Sequence, residues 1–252
     1  MSTFPTTAGG LQSTGKSLYH SMELEIERHY AGGLFFNANY TLGRIRFLTD
    51  RPIDPIGNSA LDRGMPPNSI TSVFHFNGIA DLPFGPGKRF WRNLSGAGAK
   101  IVGGWQIAGL MHLQSGQPFT VTAPAADTGT GSSANRAHRI ADGRLPSDRP
   151  KNEKLNRYFD TTAFRRPVRG EIGSSGVGVL VGPGLWATDV TLMKNTAIPE
   201  RWNIQFRAEF FNIFNHANFA NPNADVTSSA FGRIGNVSGF PRQIQFGARL
   251  QF

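Results

Sequence analysis

The last eleven residues, Arg242 to Phe252, read RQIQFGARLQF. Ile244, Phe246, Ala248, Leu250 and Phe252 take alternate positions, and Gln243, Gln245, Gly247, Arg249 and Gln251 fill the places between. A backbone of period two puts each set on its own side, so this stretch is a β-strand with one apolar and one polar face. A polar tail usually frays from the last element of a soluble domain, whereas this sequence stops on Phe252. Two architectures accept such a strand. One is the edge of a soluble β-sandwich; the other is a transmembrane barrel with lipid against its apolar side.

The same period recurs along the chain. Met22, Leu24 and Ile26 alternate with Ser21, Glu23, Glu25 and Glu27. After the Gly-rich turn His29 to Gly33, Leu34, Phe36, Ala38, Tyr40 and Leu42 alternate with Asn37, Asn39 and Thr41. These segments predict a β-hairpin, apolar on one side and polar on the other. Further strands are expected from about Ile70 to Leu82, Gly104 to Gln114, Ala187 to Thr196 and Trp202 to Phe210. With the C-terminal strand, the expected fold is all-β, an antiparallel transmembrane β-barrel segment of about seven strands.

The connections favour the membrane architecture. Residues from about Val121 to Gly184 form a Gly-, Pro- and Arg-rich stretch, which reads as a loop. So long a loop is uncommon inside a compact soluble domain but ordinary on the outer side of a transport barrel. If Phe252 lies at the periplasmic end, alternation makes His29–Gly33, Leu82–Gly103 and Ala197–Arg201 periplasmic. The connections Thr49–Asn68, Val121–Gly184 and Asn212–Phe240 are then extracellular. Two of the three periplasmic connections are short, and the two longest are extracellular, as outer-membrane barrels require. Trp105 and Trp202 then begin strands at the periplasmic interface, with Phe210, Phe211 and Phe214 at the opposite rim, where aromatic girdles form.

Composition sets limits. The hydrophobic fraction of 39% is low for a chain with a large soluble core and suits a barrel with a polar lumen. No run of about 18 apolar residues exists, so no transmembrane helix is expected. With no cysteines there is neither a disulfide scaffold nor a Cys-ligated metal site. The first residues, MSTFPTTAGGLQSTGKS, lack the basic and apolar regions of a secretory signal peptide. An exported protein needs one, so Met1 is expected to fall inside a longer protein. The net charge of +9 is concentrated in one segment, but no nucleic-acid-binding motif accompanies it, so no nucleic-acid partner is expected.

Glu23, Glu25 and Glu27 have a spacing that paired glycosidase acids can use, but a polar lumen wall accounts for them better. The histidines, among them His20, His75, His112 and His216, show no metal-binding spacing. Gly85-Pro86-Gly87 is a turn, and no nucleophile motif, phosphate loop or dinucleotide fingerprint is present. No catalytic, cofactor-binding or metal-ligating residue is therefore assigned, and no enzyme activity is expected. The most function-like feature is the basic stretch of Arg136, Arg139, Arg144, Arg149, Lys151, Lys154, Arg157, Arg165, Arg166 and Arg169. Plain solvation of a long loop accounts for it better; the competing reading is attraction of an anionic ligand or of lipopolysaccharide phosphates, which salt-dependent binding lost on neutralising Arg165 and Arg166 would reveal.

Several stretches, in order, resemble the C-terminal part of a TonB-dependent outer-membrane receptor of the Oar-like group. They are SLYHSMELEIERHYAGGLFFNANYTLG (Ser17 to Gly43), LPFGPGKRF (Leu82 to Phe90), GGWQIAGLMHLQSGQPFTV (Gly103 to Val121), GPGLWATDVTLMKN (Gly182 to Asn195), FRAEFFNIFNHANF (Phe206 to Phe219) and the ending RQIQFGARLQF. The resemblance spans nearly the whole chain and implies residence in the cell outer membrane. It also implies assembly by the barrel assembly machinery through the C-terminal strand. The full receptor would be a 22-stranded barrel filled by a plug on which the TonB complex acts during uptake of a large solute. No plug or TonB-binding segment is recognisable in residues 1–252, so this chain is expected to be barrel wall plus ligand-capturing loops. An incomplete barrel leaves strand edges unpaired in lipid, so the chain alone is expected not to insert stably. The alternative is a soluble secreted or periplasmic β-sandwich, for example a carbohydrate-binding module.

Overall fold

The computed structural model describes residues 15–48, 60–124, 135–168, 171–198 and 202–252. Seven long strands organise it: β1 (Ser17–Ala31), β2 (Leu34–Leu48), β3 (Ser72–Asp81), β4 (Trp105–Gln114), β5 (Leu185–Ile198), β6 (Trp202–Phe211) and β7 (Gln243–Gln251). Each pairs antiparallel with its neighbours in sequence, in the order β1 to β7. The shortest has 9 residues, enough for a tilted strand to cross a bilayer. The sheet does not close: β1 and β7 are its two edges.

Register places like residues side by side. Leu24, Tyr40, Phe74, Leu113 and Trp186 are successive partners along one rung, and Ala208 and Phe246 pair on another. All lie on the apolar face. Glu25, Asn39, His75 and His112 form a rung on the polar face, as do Glu209 and Gln245. No described residue layers over the apolar face, so Ile26 is 66% exposed and Phe246 68%. Of the buried hydrophobic residues, Ala208 alone belongs to these strands. A soluble sheet buries such a face against a second layer; here the apolar side has no protein partner, and lipid is the solvent that suits it.

Gly32 and Gly33, with φ of 63° and 81°, make the β1–β2 turn. Two successive positive φ values match the twist of a hairpin and are costly for other residues. A register shift between Arg28 and Ala31 turns Tyr30 onto the polar face, where its hydroxyl donates to Asp81 Oδ1 at 2.9 Å. At the same end lies the connection from β3 to β4, which carries a short helix, α1 (Gly96–Val102). The β5–β6 connection is also there, its residues 199–201 lying outside the described residues. Aromatics mark this rim: Phe252 packs on Trp202 with ring centres 5.6 Å apart, and the Lys194 ammonium lies 5.8 Å from the Trp105 ring centre. The opposite rim has Trp186 against Phe214 at 5.6 Å. These are the two aromatic bands expected from the sequence.

The three connections at the opposite end depart from the sequence expectation. Residues 121–184 read as a long loop, yet those of them that are described fold. Their short strand pairs, Pro118–Phe119 with Leu180–Val181 and His138–Arg139 with Phe164–Arg165, accompany a helix, α2 (Lys151–Asn156). Phe119, Val121, Ala137, Phe159, Ala163, Phe164 and Leu180 form a buried cluster, with Tyr158, Ala224, Val226 and Phe231 packed against it. The last connection joins through Val226 N–H to Thr122 O at 3.0 Å and Tyr158 N–H to Gly232 O at 2.8 Å. The first joins where Gly64 pairs with Val177; a Cβ on Gly64 would lie 2.0 Å from the Val177 carbonyl oxygen. The Pro-rich part of that connection at 49–59 lies outside the described residues. The three loops thus make one folded cap, and its core is the main one in the described chain.

Candidate functional site

Two surfaces carry polar side chains in organised form. The first is the polar face of the sheet. Asp81 accepts from Tyr30, Gln106 and Lys88, the latter two at 2.8 Å. The network continues from Asn195 Nδ2 to Gln106 Oε1 at 3.2 Å and from Gln205 Nε2 to Asn195 Oδ1 at 2.9 Å. One chain of hydrogen bonds thus crosses from β1 to β6, as suits a polar wall. Nearer the cap, Glu25 accepts from Asn37 at 2.6 Å, and Glu27 lies 3.3 Å from His29. Glu23, Glu25 and Glu27 thus stand on an edge strand, Glu23 opposite Thr41, Glu25 bonded to an amide and Glu27 beside a histidine. His75 and His112, 37 positions apart in sequence, meet with their Nδ1 atoms 3.0 Å apart. Gln114 Oε1 takes up His112 Nε2 at 2.8 Å. Sequence spacing could not reveal this pair; register alone creates it.

The second surface is the cap, and it divides the basic stretch in two. Several arginines are internal ties. Arg136 is buried and forms an ion pair with buried Asp62, while also donating to Ser175 O at 3.2 Å. Burial lowers the Arg136 pKa, and the Asp62 charge opposes that fall. Arg139 pairs with Asp142, and Arg157 with Asp160. Arg165 holds Glu171 bidentately at 2.6 and 2.8 Å. Those bonds, with the Val168 N–H, bring the Glu171 carboxyl down to about 2. Arg165 is thus committed to Glu171 rather than displayed to a ligand. Arg166 is likewise engaged, and Arg169 lies outside the described residues.

The remaining cations rim a cavity of about 560 Å³ between the second and third connections. Its floor includes Leu155, Tyr158, Phe159, Leu180, Phe219 and Ile234; Arg144, Arg149, Lys151 and Lys154 stand around it. The Arg149 guanidinium donates to the carbonyls of Pro146, Arg157 and Tyr158 at 2.9–3.0 Å, so it is held in place with its charge unneutralised. The Lys154 ammonium donates to Ser147 O at 3.2 Å, and that of Lys151 sits 5.1 Å from the Phe219 ring centre. None of Arg149, Lys151 and Lys154 makes an ion pair among the described residues. Burial raises the Tyr158 phenol, and Arg149 opposes the rise. Among the described residues, no Asp, Glu, Asn or Gln lines the cavity. His216 also lines it, its ring centre 4.8 Å from that of Trp186. The sequence signalled the cations but not the cavity, whose walls come from segments more than 50 positions apart.

Comparison with curated proteins and with solved structures yields no match. A family model described as an outer membrane beta barrel domain matches residues 2–245. That match agrees with a meander of bilayer-length strands, one face apolar and uncovered, the other a continuous polar wall. The chain belongs to the outer membrane beta barrel domain family and resides in the outer membrane.

Proposed function

We propose that this barrel wall serves a TonB-dependent receptor of the Oar-like group and that the folded cap is its ligand-capturing face. The observation that carries the reading is an unclosed seven-stranded wall beneath a cap built from all three loops at one end. Unpaired strand edges are costly in lipid, so the free edges of β1 and β7 in the described sheet fit into a larger barrel. The ordered resemblance of six stretches to such receptors supports the same reading. The protein's role is then binding and transport rather than catalysis. Its partners are outer-leaflet lipid and lipopolysaccharide around the wall, the assembly machinery at β7, and the TonB complex through a plug in the complete receptor. The soluble carbohydrate-binding module has no support in the uncovered apolar face.

The test is capture by TonB. Outer membranes of the source cells are solubilised in mild detergent and passed over the immobilised periplasmic domain of TonB. An antibody against residues 135–168 reads the eluate. Co-elution of a band far larger than 27.5 kDa is expected. An intact outer-membrane protein that flows through unretained would overturn the TonB assignment while leaving the barrel in place.

A further inference from the structure

We propose that the cap cavity binds an amphiphilic organic anion: a compact apolar body, aromatic or aliphatic, with a carboxylate, phosphate or sulfate at one end. This deepens the receptor reading and rests on it for the ligand's transport; binding itself needs only the folded cap. Three observations define the chemistry. The floor is apolar, with Phe159 and Leu180 buried beneath it and Phe219 at its side. The rim is cationic, and among the described residues Arg149, Lys151 and Lys154 have no acidic partner. Side-chain carboxylates and amides are absent from the lining among the described residues. A cationic ligand needs carboxylates, which the described lining lacks, and a neutral ligand makes no use of the unneutralised cations.

The three cations differ in what they can give. Arg149 is fixed by three backbone carbonyls, so it supplies a standing positive charge with little reorganisation on binding. Lys151 and Lys154 lie one helical turn apart on α2, so their ammonium groups can meet one anion as charge-assisted donors. Phe219 beneath Lys151 offers a face for a planar body. The volume of about 560 Å³ suits a small organic molecule and is too small for the many acyl chains of a lipopolysaccharide anchor.

The protein purified from outer membranes is titrated calorimetrically with 1-naphthyl phosphate, 1-naphthol and 1-naphthylmethylammonium. The phosphate is expected to bind at least about tenfold more tightly than the alcohol, with the margin shrinking as salt rises. The ammonium should bind weakest. In a Lys151→Gln, Lys154→Gln variant the phosphate's margin should shrink, the fixed Arg149 charge remaining, while naphthol binding persists. In a Lys151→Glu, Lys154→Glu variant the order should reverse in favour of the ammonium, a gain that unfolding cannot produce. Purified lipopolysaccharide should not displace the phosphate. Absence of binding, equal binding of the three probes by the native protein, an undiminished phosphate preference in either variant, or displacement by lipopolysaccharide would each overturn the proposal. The TonB capture assay is unaffected by any of these results, so the two readings fail separately.

Discussion

Replacing Phe159 with alanine should unfold the cap without unfolding the barrel wall. Phe159 is 2% exposed and meets three other rings: Phe119 at 5.7 Å, Phe164 edge-on at 5.8 Å and Phe231 edge-on at 5.2 Å. Phe119 precedes the long second connection, Phe164 lies within it, and Phe231 comes from the third, so the one side chain ties both together. Truncating a buried Phe to Ala costs about 3–5 kcal/mol, which includes the lost edge-to-face contacts. At about 1.4 kcal/mol per decade, amide exchange in the cap should accelerate by about two to four decades, up to the open-chain limit. Hydrogen exchange followed by mass spectrometry reads this peptide by peptide. Residues 119–124, 136–165 and 219–234 should lose protection together, whereas those of β3 to β6 should hardly change, since their backbone bonds run strand to strand. Phe159→Leu should recover much of the protection by refilling part of the space. If cap peptides of the alanine variant exchanged at the wild-type rate, Phe159 would not be the centre of a cooperative core. If strands and cap lost protection equally, the two would not be separate units.

Other consequences follow from named contacts. Asp62→Asn strips the partner from buried Arg136 and should destabilise the cap by about 3–5 kcal/mol, whereas a paired Asp62→Leu, Arg136→Met change should cost less than either single one; protease nicking after residue 60 ranks the variants. Glu171 falls from 4.5 to about 2 on folding, so its tie to Arg165 contributes stability above about pH 4.5 that is lost as pH falls through about 2. Cap exchange measured from pH 5 to pH 2 should steepen in the native protein and less so in Glu171→Gln; equal slopes would refute that tie. Phe246→Arg puts a charge on the lipid face of β7 and should cost about 2–4 kcal/mol and reduce outer-membrane assembly, whereas Gln245→Arg on the polar face should be tolerated. Comparable assembly of the two, read by heat-modifiable mobility on gels, would contradict the face assignment.

The strands were legible because period two is strong where a strand must present lipid on one side and polar groups on the other. Met22, Leu24 and Ile26 against Glu23, Glu25 and Glu27 already fix the faces, and the observed register keeps them. What the period could not show is where it slips. The shift between Arg28 and Ala31 sends Tyr30 to Asp81, 51 positions away. The cap was illegible for a different reason. Its core residues, from Phe119 to Phe231, stand at irregular intervals in a Gly- and Pro-rich backbone, and packing among three separate loops unites them. The arginines show the same limit: their abundance was plain, but whether Arg165 faces a ligand or Glu171 depends on a turn that no local pattern specifies. The cavity combines Arg149 with Phe219, two residues 70 positions apart, and only the assembled cap joins them.

The central claim is that one face of this sheet meets lipid and the other water. The chain has no native cysteine, so single cysteines can be placed at each position from 243 to 251 without background. Outer membranes carrying each variant are treated with a membrane-impermeant maleimide, and in parallel the sites are spin-labelled and tested for access to oxygen against a polar nickel chelate. The account predicts a strict alternation: positions 244, 246, 248 and 250 protected from the maleimide and open to oxygen, positions 243, 245, 247, 249 and 251 labelled and open to the chelate. Uniform labelling along β7, or an alternation of opposite sign, would contradict it.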